Sequence, residues 1–307
     1  LLGLTPYENS HPPLGKVFIM LGIALFGMTP FGWRCMGALF GVLMLPALYL
    51  LVRRIVKKPE WALFAAGLFA VDFMHFAQTR LATVDVFVVF FILWMYYFMY
   101  GYYEMSFFRD KFWKTLIPLG LCGLFMGLGI ASKWICIYAG AGLAVLFFGS
   151  LAARYFEYAA LTPKRKGGQE SVPPVGRRNE KNGTEREREL VQPFWKNVLY
   201  TLLWCCLFFL LVPFIIYFCS YLPYYIYEGG RTEGYGLSEA FDTFWRYQNF
   251  MFSYHSGLEA THPYQSAWWQ WPFTMRPMWY YSGNDAAAGI VSTLTASGNP
   301  AVWWVGT

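Results

Sequence analysis

Hydrophobic and polar positions fall into long blocks along the chain rather than alternating. Six apolar runs, at about 33–52, 61–78, 84–102, 116–132, 134–151 and 197–219, come near the length that carries an α-helix across a bilayer. The pattern predicts an all-α polytopic membrane protein, a multi-span helical bundle. Residues 17–28 are apolar but too short to span, and are expected to lie in the interface. The expected organisation is an outer loop with this interfacial helix over 1–32, five spans over 33–151, a loop over 152–196, a sixth span over 197–219, an outer loop over 220–298, and the start of a further span over 299–307. Within the second outer loop, residues 235–253 read as a helix on the membrane surface with Ser238 as its cap. "GNP" at 298–300 reads as a helix start, with Asn299 capping and Pro300 in the first turn.

Composition agrees with this pattern. The chain is 57% hydrophobic and 21% aromatic, and only 14% charged, against about 25% charged in soluble domains. Charge then orients the bundle. Of the 24 basic residues, four lie in the loop after the first span (Arg53, Arg54, Lys57, Lys58). Three follow the third span (Arg109, Lys111, Lys114), and ten lie in 152–196. Alternating spans put these three loops on one side, which the positive-inside rule makes the cytoplasm. The net charge of +6 is therefore topological bias, and nucleic acid is not an expected partner. The polar stretch 162–192 is expected to be a disordered cytoplasmic loop. The glycosylation triplet at Asn182 within it falls on the wrong side.

The chain opens on a polar, Pro-rich stretch without an initiator Met and stops inside an apolar run, so it is expected to be a fragment cut at both ends, with no signal peptide. The six cysteines lie in or beside apolar segments and read as small buried hydrophobes. No Cys/His spacing suggests a disulfide framework or a metal, and no cofactor is expected.

Orientation gathers the unusual polar stretches at the outer face: "HPPLGK" at 11–16, "QTRLATVD" at 78–85, "ASKW" at 131–134, and the region 220–299. Arg80 and Asp85 read either as a salt bridge capping two helices or as a phosphate-holding cation with a carboxylate beside it; ionisable residues at membrane depth favour the second. Asp72 is an alternative buried partner for Arg80. Lys133 stands between two apolar spans with no acid near it in sequence, and suits either snorkelling or a lipid phosphate. Lys16 follows two prolines and a glycine in a stiff turn. Trp268, Trp269, Trp271, Trp279, Tyr280 and Tyr281 fit an interfacial belt, and aromatic faces also suit sugar rings.

"HPPLGK", "RLATVD", "ASKW", "SYHSGLEATHPYQSAWWQWP" and "GNPAVWW", in this order over nearly the whole chain, closely resemble the protein O-mannosyltransferases. These are polyprenyl-phosphate-dependent membrane glycosyltransferases of the GT-C architecture, and the chain looks like a bacterial member, without room for the MIR insertion of eukaryotic enzymes. The resemblance implies inverting transfer of mannose from a polyprenyl-phosphate carrier to Ser/Thr hydroxyls of proteins, at the extracytoplasmic face of a bacterial plasma membrane. It also implies a general base in an Asp-Glu pair ahead of "HPPLGK". Residues 1–10 hold no such pair, and Glu8 does not fit it, so the base is expected upstream of Leu1, with Asp85 as a candidate within the chain. Arg80, Lys133 and Lys16 are then expected to stabilise the phosphate leaving group, and His11 and His262 to position hydroxyls. The alternatives are a GT-C enzyme with another lipid-linked sugar or a wall-polymer or lipid acceptor, and a transporter. A transporter is expected to show internal repeats and mid-membrane charges, which the sequence lacks.

Overall fold

The structure, a computed structural model, describes residues 10–162, 193–259, 265–283 and 292–306. The expectations for residues 1–9, for most of the polar stretch 162–192 and for His262 lie outside these residues.

The bundle is built from α1 (Leu14–Phe26), α2 (Pro30–Val56), α3 (Pro59–Ala70), α4 (Phe73–Gln78), α5 (Asp85–Tyr103), α6 (Phe112–Ser132), α7 (Ile135–Leu161) and α8 (Phe194–Ser220). Among the described residues, five of these helices are long and apolar enough to cross a membrane: α2, α5, α6, α7 and α8. Local chemistry sets their limits. Thr29 caps α2 by accepting from the Gly32 amide at 3.1 Å, with Pro30 in the first turn. The same helix stops at Lys57, which takes a left-handed conformation two residues before Pro59. In α8 one turn widens to a π-helix at Leu207–Leu211, just ahead of Pro213, which has no N–H to give to the preceding turn.

The expected span 61–78 is not one helix. It breaks at Val71 and Asp72, because the Asp72 carboxylate accepts from the His75 amide at 3.0 Å and starts α4 afresh. The 12 residues of α3 reach only about 18 Å, short of a hydrocarbon core of ~30 Å. The short apolar helix α1 folds back on α2, with Gly22 close against the Gly32 carbonyl and Cys35. Phe18 packs against Phe40 and Phe87, with ring centroids 5.0 and 5.2 Å apart.

The central core joins α5, α6 and α7 through Met95, Met99, Tyr102, Leu119, Cys122 and Leu143. A second, tyrosine-rich cluster fastens α9 (Leu222–Gly229) and α10 (Leu237–Ser256) to the ends of α6 and α8, around Tyr217, Tyr221, Phe244, Tyr247 and Met251. The helix expected over 235–253 is present as α10, at Leu237–Ser256. Its cap is Gly236, whose amide donates to Glu239 at 2.8 Å, and Ser238 falls inside the helix. An antiparallel hairpin, β1 (Met278–Gly283) with β2 (Ser292–Ala296), adds two strands that the all-α expectation did not contain. The chain then enters α11 (Pro300–Gly306), capped as expected: Asn299 Oδ1 accepts from the Ala301 amide at 3.0 Å.

The bundle has two polar ends. At one, the three segments with most basic residues meet: Arg54 pairs with Glu104 at 2.7 Å, Arg154 donates to the Met105 carbonyl at 3.2 Å, and Ser106 donates to Glu157 at 2.6 Å. At the other lie the 11–16 turn, the 79–85 connection, Lys133 and α10.

Candidate functional site

Asp85 is the first residue of α5, and Lys133 follows the last turn of α6 in an extended conformation. The two helices are packed side by side, and Lys133 Nζ reaches Asp85 Oδ1 at 2.7 Å. The lysine side chain is 23% exposed and the carboxylate 45%. This corrects one expectation: Asp85 serves Lys133, 48 residues away in sequence, rather than Arg80. Arg80 is exposed and lays its guanidinium over the Phe76 ring, 3.6 Å from the centroid. No carboxylate lies within 4.0 Å of it among the described residues. Asp72 is not its partner either, being engaged at the start of α4.

The 11–16 turn packs against Val84, the residue before Asp85. Pro12 and Pro13 are buried. A side chain at Gly15 would put its Cβ 2.9 Å from Val84 Cβ, so only glycine lets the turn press against the start of α5. Lys16 follows in the first turn of α1. His11 stacks on His255, with centroids 5.4 Å apart and rings inclined 24°, and His255 Nε2 lies 2.7 Å from the Ser10 carbonyl. Trp134, beside Lys133, approaches the same ring at 6.1 Å. Its indole donates to Tyr217 at 2.9 Å, and Tyr217 donates to Gln248 at 2.6 Å. The last turn of α10 therefore braces both the turn and the lysine. His255 falls outside the sequence-derived candidates; its place at the end of an amphipathic helix was the available signal.

The support under Arg80 comes from α2. Gly41 packs against Thr79, whose Cβ would lie 2.6 Å from an added Cβ, so the 79–85 connection is seated in a notch in that helix. From above, Gln78 hydrogen-bonds the Tyr280 hydroxyl. Burial raises the Tyr280 pKa, and the nearby Asp85 carboxylate adds to the rise, against the Gln78 hydrogen bond. Strand register explains how Tyr280 gets there. Trp279 pairs with Thr295 and Tyr281 with Leu294, leaving Tyr280 as the bulged residue between them; a bulge re-aims its side chain.

The hairpin is in turn tied to the bundle. Asp72 Oδ1 accepts from the Asn299 amide at 2.8 Å and from the Trp303 indole at 2.9 Å, while Asn299 Nδ2 donates to the Val71 carbonyl at 3.1 Å. Between α4 and the hairpin lies a cavity of about 570 Å³ with Trp271, Trp279, Trp303 and Arg276 in its walls. The sequence-derived candidates thus separate. Lys133 and Asp85 are joined, with the 11–16 turn against Val84. Arg80 stands on the same connection without touching Asp85.

Fold and site together define a polytopic helical membrane protein with a polar, cation-bearing site at one end of its bundle. The family described as dolichyl-phosphate-mannose-protein mannosyltransferase matches residues 10–162, and the C-terminal four-transmembrane region of protein-O-mannosyltransferase matches residues 240–307. The polyprenol-phosphate-mannose–protein mannosyltransferase of Mycobacterium tuberculosis is 27% identical over 96% of this chain, and that of Corynebacterium glutamicum 24% identical over 96%. The chain spans 58% of the length of each. An uncharacterised protein of Aquifex aeolicus is 34% identical over 40% of this chain and 26% of its own length. The chain belongs to the protein O-mannosyltransferase family.

Proposed function

We propose that this chain is the donor-binding part of an enzyme that moves mannose from a polyprenyl phosphate to Ser or Thr hydroxyls of proteins, at the extracytoplasmic face and with inversion. The observation that carries this reading is the Lys133–Asp85 pair, with the 11–16 turn packed against Val84 next to it in the chain. The names of the relatives supply the donor and acceptor classes. In a single displacement the acceptor oxygen attacks the anomeric carbon. The bond from that carbon to the phosphate oxygen breaks, and the polyprenyl phosphate leaves with the electron pair. Lys133, steered by Asp85, neutralises that developing charge, and Arg80 and Lys16 add positive potential around it. At this membrane-facing end, exclusion of water strengthens each contact.

Asp85 turns its carboxylate to the Lys133 ammonium, 2.7 Å away. We therefore assign it to orienting Lys133. The acceptor proton falls to another carboxylate, which the family resemblance puts in an Asp-Glu pair ahead of the 11–16 turn. His11 helps shape the acceptor side through its stack on His255.

The test is transfer of labelled mannose from polyprenyl phosphate to a Thr peptide by the full-length protein in nanodiscs. Lys133→Met is expected to lower turnover on the order of a hundredfold or more, and Lys133→Arg to recover part of it. The product's anomeric configuration reads inversion. Normal turnover by a well-folded Lys133→Met variant would remove the lysine from the mechanism.

A further inference from the structure

The cavity between α4 and the hairpin is not accounted for by donor chemistry. At about 570 Å³ it falls in the range of small-ligand sites. Tyr280, the bulged residue, reaches toward Gln78 and into the field of Asp85, whereas Met278 and Trp279 line the cavity.

Its three indoles share one property. The Trp271 ring N–H donates to Ser266 Oγ at 3.1 Å, that of Trp279 to the Tyr281 carbonyl at 2.9 Å, and that of Trp303 to Asp72 at 2.9 Å. Each polar handle is satisfied within the protein, which fixes the rings and leaves them to contribute apolar surface rather than donors. Polar groups sit among them. Thr274 and Arg276 share the lining, and Arg276 Nη1 donates to the Gln265 carbonyl at 2.9 Å, which holds the guanidinium in place. The fitting ligand has an apolar face and a rim of hydroxyls. A pyranose ring has that shape: axial C–H groups on its face, hydroxyls at its edge.

We infer that this cavity binds a neutral pyranoside already attached to the acceptor chain, next to the hydroxyl that receives the next sugar. The inference rests on the proposed transfer reaction for the identity of its ligand. The cavity would read earlier glycosylation and favour acceptors that carry it.

The experiment measures binding, which needs no turnover. Full-length protein in nanodiscs is titrated calorimetrically with a Thr peptide and with the same peptide bearing mannosyl-Thr beside the free Thr. The glycosylated peptide is expected to bind about tenfold more tightly. Trp279→Ala and Trp271→Ala are expected to abolish that preference. Trp279→Phe keeps an aromatic face and is expected to retain most of it. Turnover on the unmodified peptide is expected to stay within about twofold in all three variants, which also reports that they fold. Equal binding of the two peptides by the unaltered protein would overturn the inference. A preference that survives both alanine variants would also overturn it, as would parallel loss of both peptides, which would make the cavity a peptide groove. Loss of transfer without loss of the binding preference would count against the transferase reading alone.

Discussion

Asp72→Ala offers the sharpest structural test, because one buried carboxylate joins parts of the chain that are otherwise far apart. Asp72 is 6% exposed and accepts from the His75 amide, the Asn299 amide and the Trp303 indole. Alanine removes the α4 cap, for about 1 kcal/mol. It also leaves two donors from the hairpin's far side without their acceptor, each at about 1–3 kcal/mol when it stays buried. The cap loss frays α4 locally. The two orphaned donors act on the attachment of β2 and α11, by about 3 kcal/mol together if each lies near the lower half of that range. A tenfold change in an opening equilibrium corresponds to ~1.4 kcal/mol, so amides of 292–303 should exchange with deuterium on the order of a hundred times faster. Hydrogen exchange with mass spectrometry on the full-length protein in nanodiscs reads this directly. Asp72→Asn keeps one acceptor oxygen and should show a smaller increase, roughly tenfold. Exchange at 292–303 within about threefold of the unaltered protein in Asp72→Ala would show that the hairpin is held by other contacts, and the calculation would fail.

Two further outcomes test other parts of the molecule. Glu104 is held below its ordinary pKa: burial raises it, but hydrogen bonds and charge from Lys57 and Arg54 outweigh that. Its stabilisation is therefore complete above the ordinary value of 4.5 and is lost as pH falls through the depressed one; Glu104→Gln should cost about 1–2 kcal/mol at neutral pH and flatten the acid side of a detergent thermal-unfolding profile, and an unchanged acid limb would break that link. For orientation, motivated by the uneven split of basic residues, a cysteine at Ser256 should react with an impermeant maleimide from outside intact cells and one at Arg109 should not; the reverse pattern would turn the proposed site to the cytoplasm.

The long helices were legible because the bilayer imposes length and apolarity on contiguous residues: α2, α5, α6, α7 and α8 each cover an expected span to within one residue. The break at Asp72 was less visible, since "LFAAGLFAV" before it and "FMHFA" after it are both apolar. The signal was Asp72 itself, a good cap residue three positions before the amide it binds. The polar site was legible as a set of residues but not as a set of pairs. Arg80 and Asp85 are five apart and were read together; the actual pair joins Asp85 to Lys133 through the packing of α5 on α6, which local periodicity does not encode. The hairpin was hidden for another reason. "MWYYSG" and "STLTA" carry strand-forming residues, yet the aromatic belt explained the first equally well.

The break in the second apolar run also has a consequence in time. The Val71 carbonyl and the Asp72 carboxylate are both satisfied by Asn299, which lies 227 positions beyond Asp72 along the chain. At ~5–20 residues per second of synthesis, that partner emerges roughly 10–45 seconds after Asp72 does. Through that interval the break between α3 and α4 lacks the partner that closes it, and unpaired polar groups between two apolar helices are costly. The nascent protein must hold this segment beside the insertion machinery or beside α2, whose Gly41 notch is already made, until the last described helix arrives to close it. Order of assembly is thereby written into a single hydrogen-bonded junction: among the described elements, the segment after the hairpin locks later than α3 and α4, and its arrival completes a helix pair made earlier in the chain.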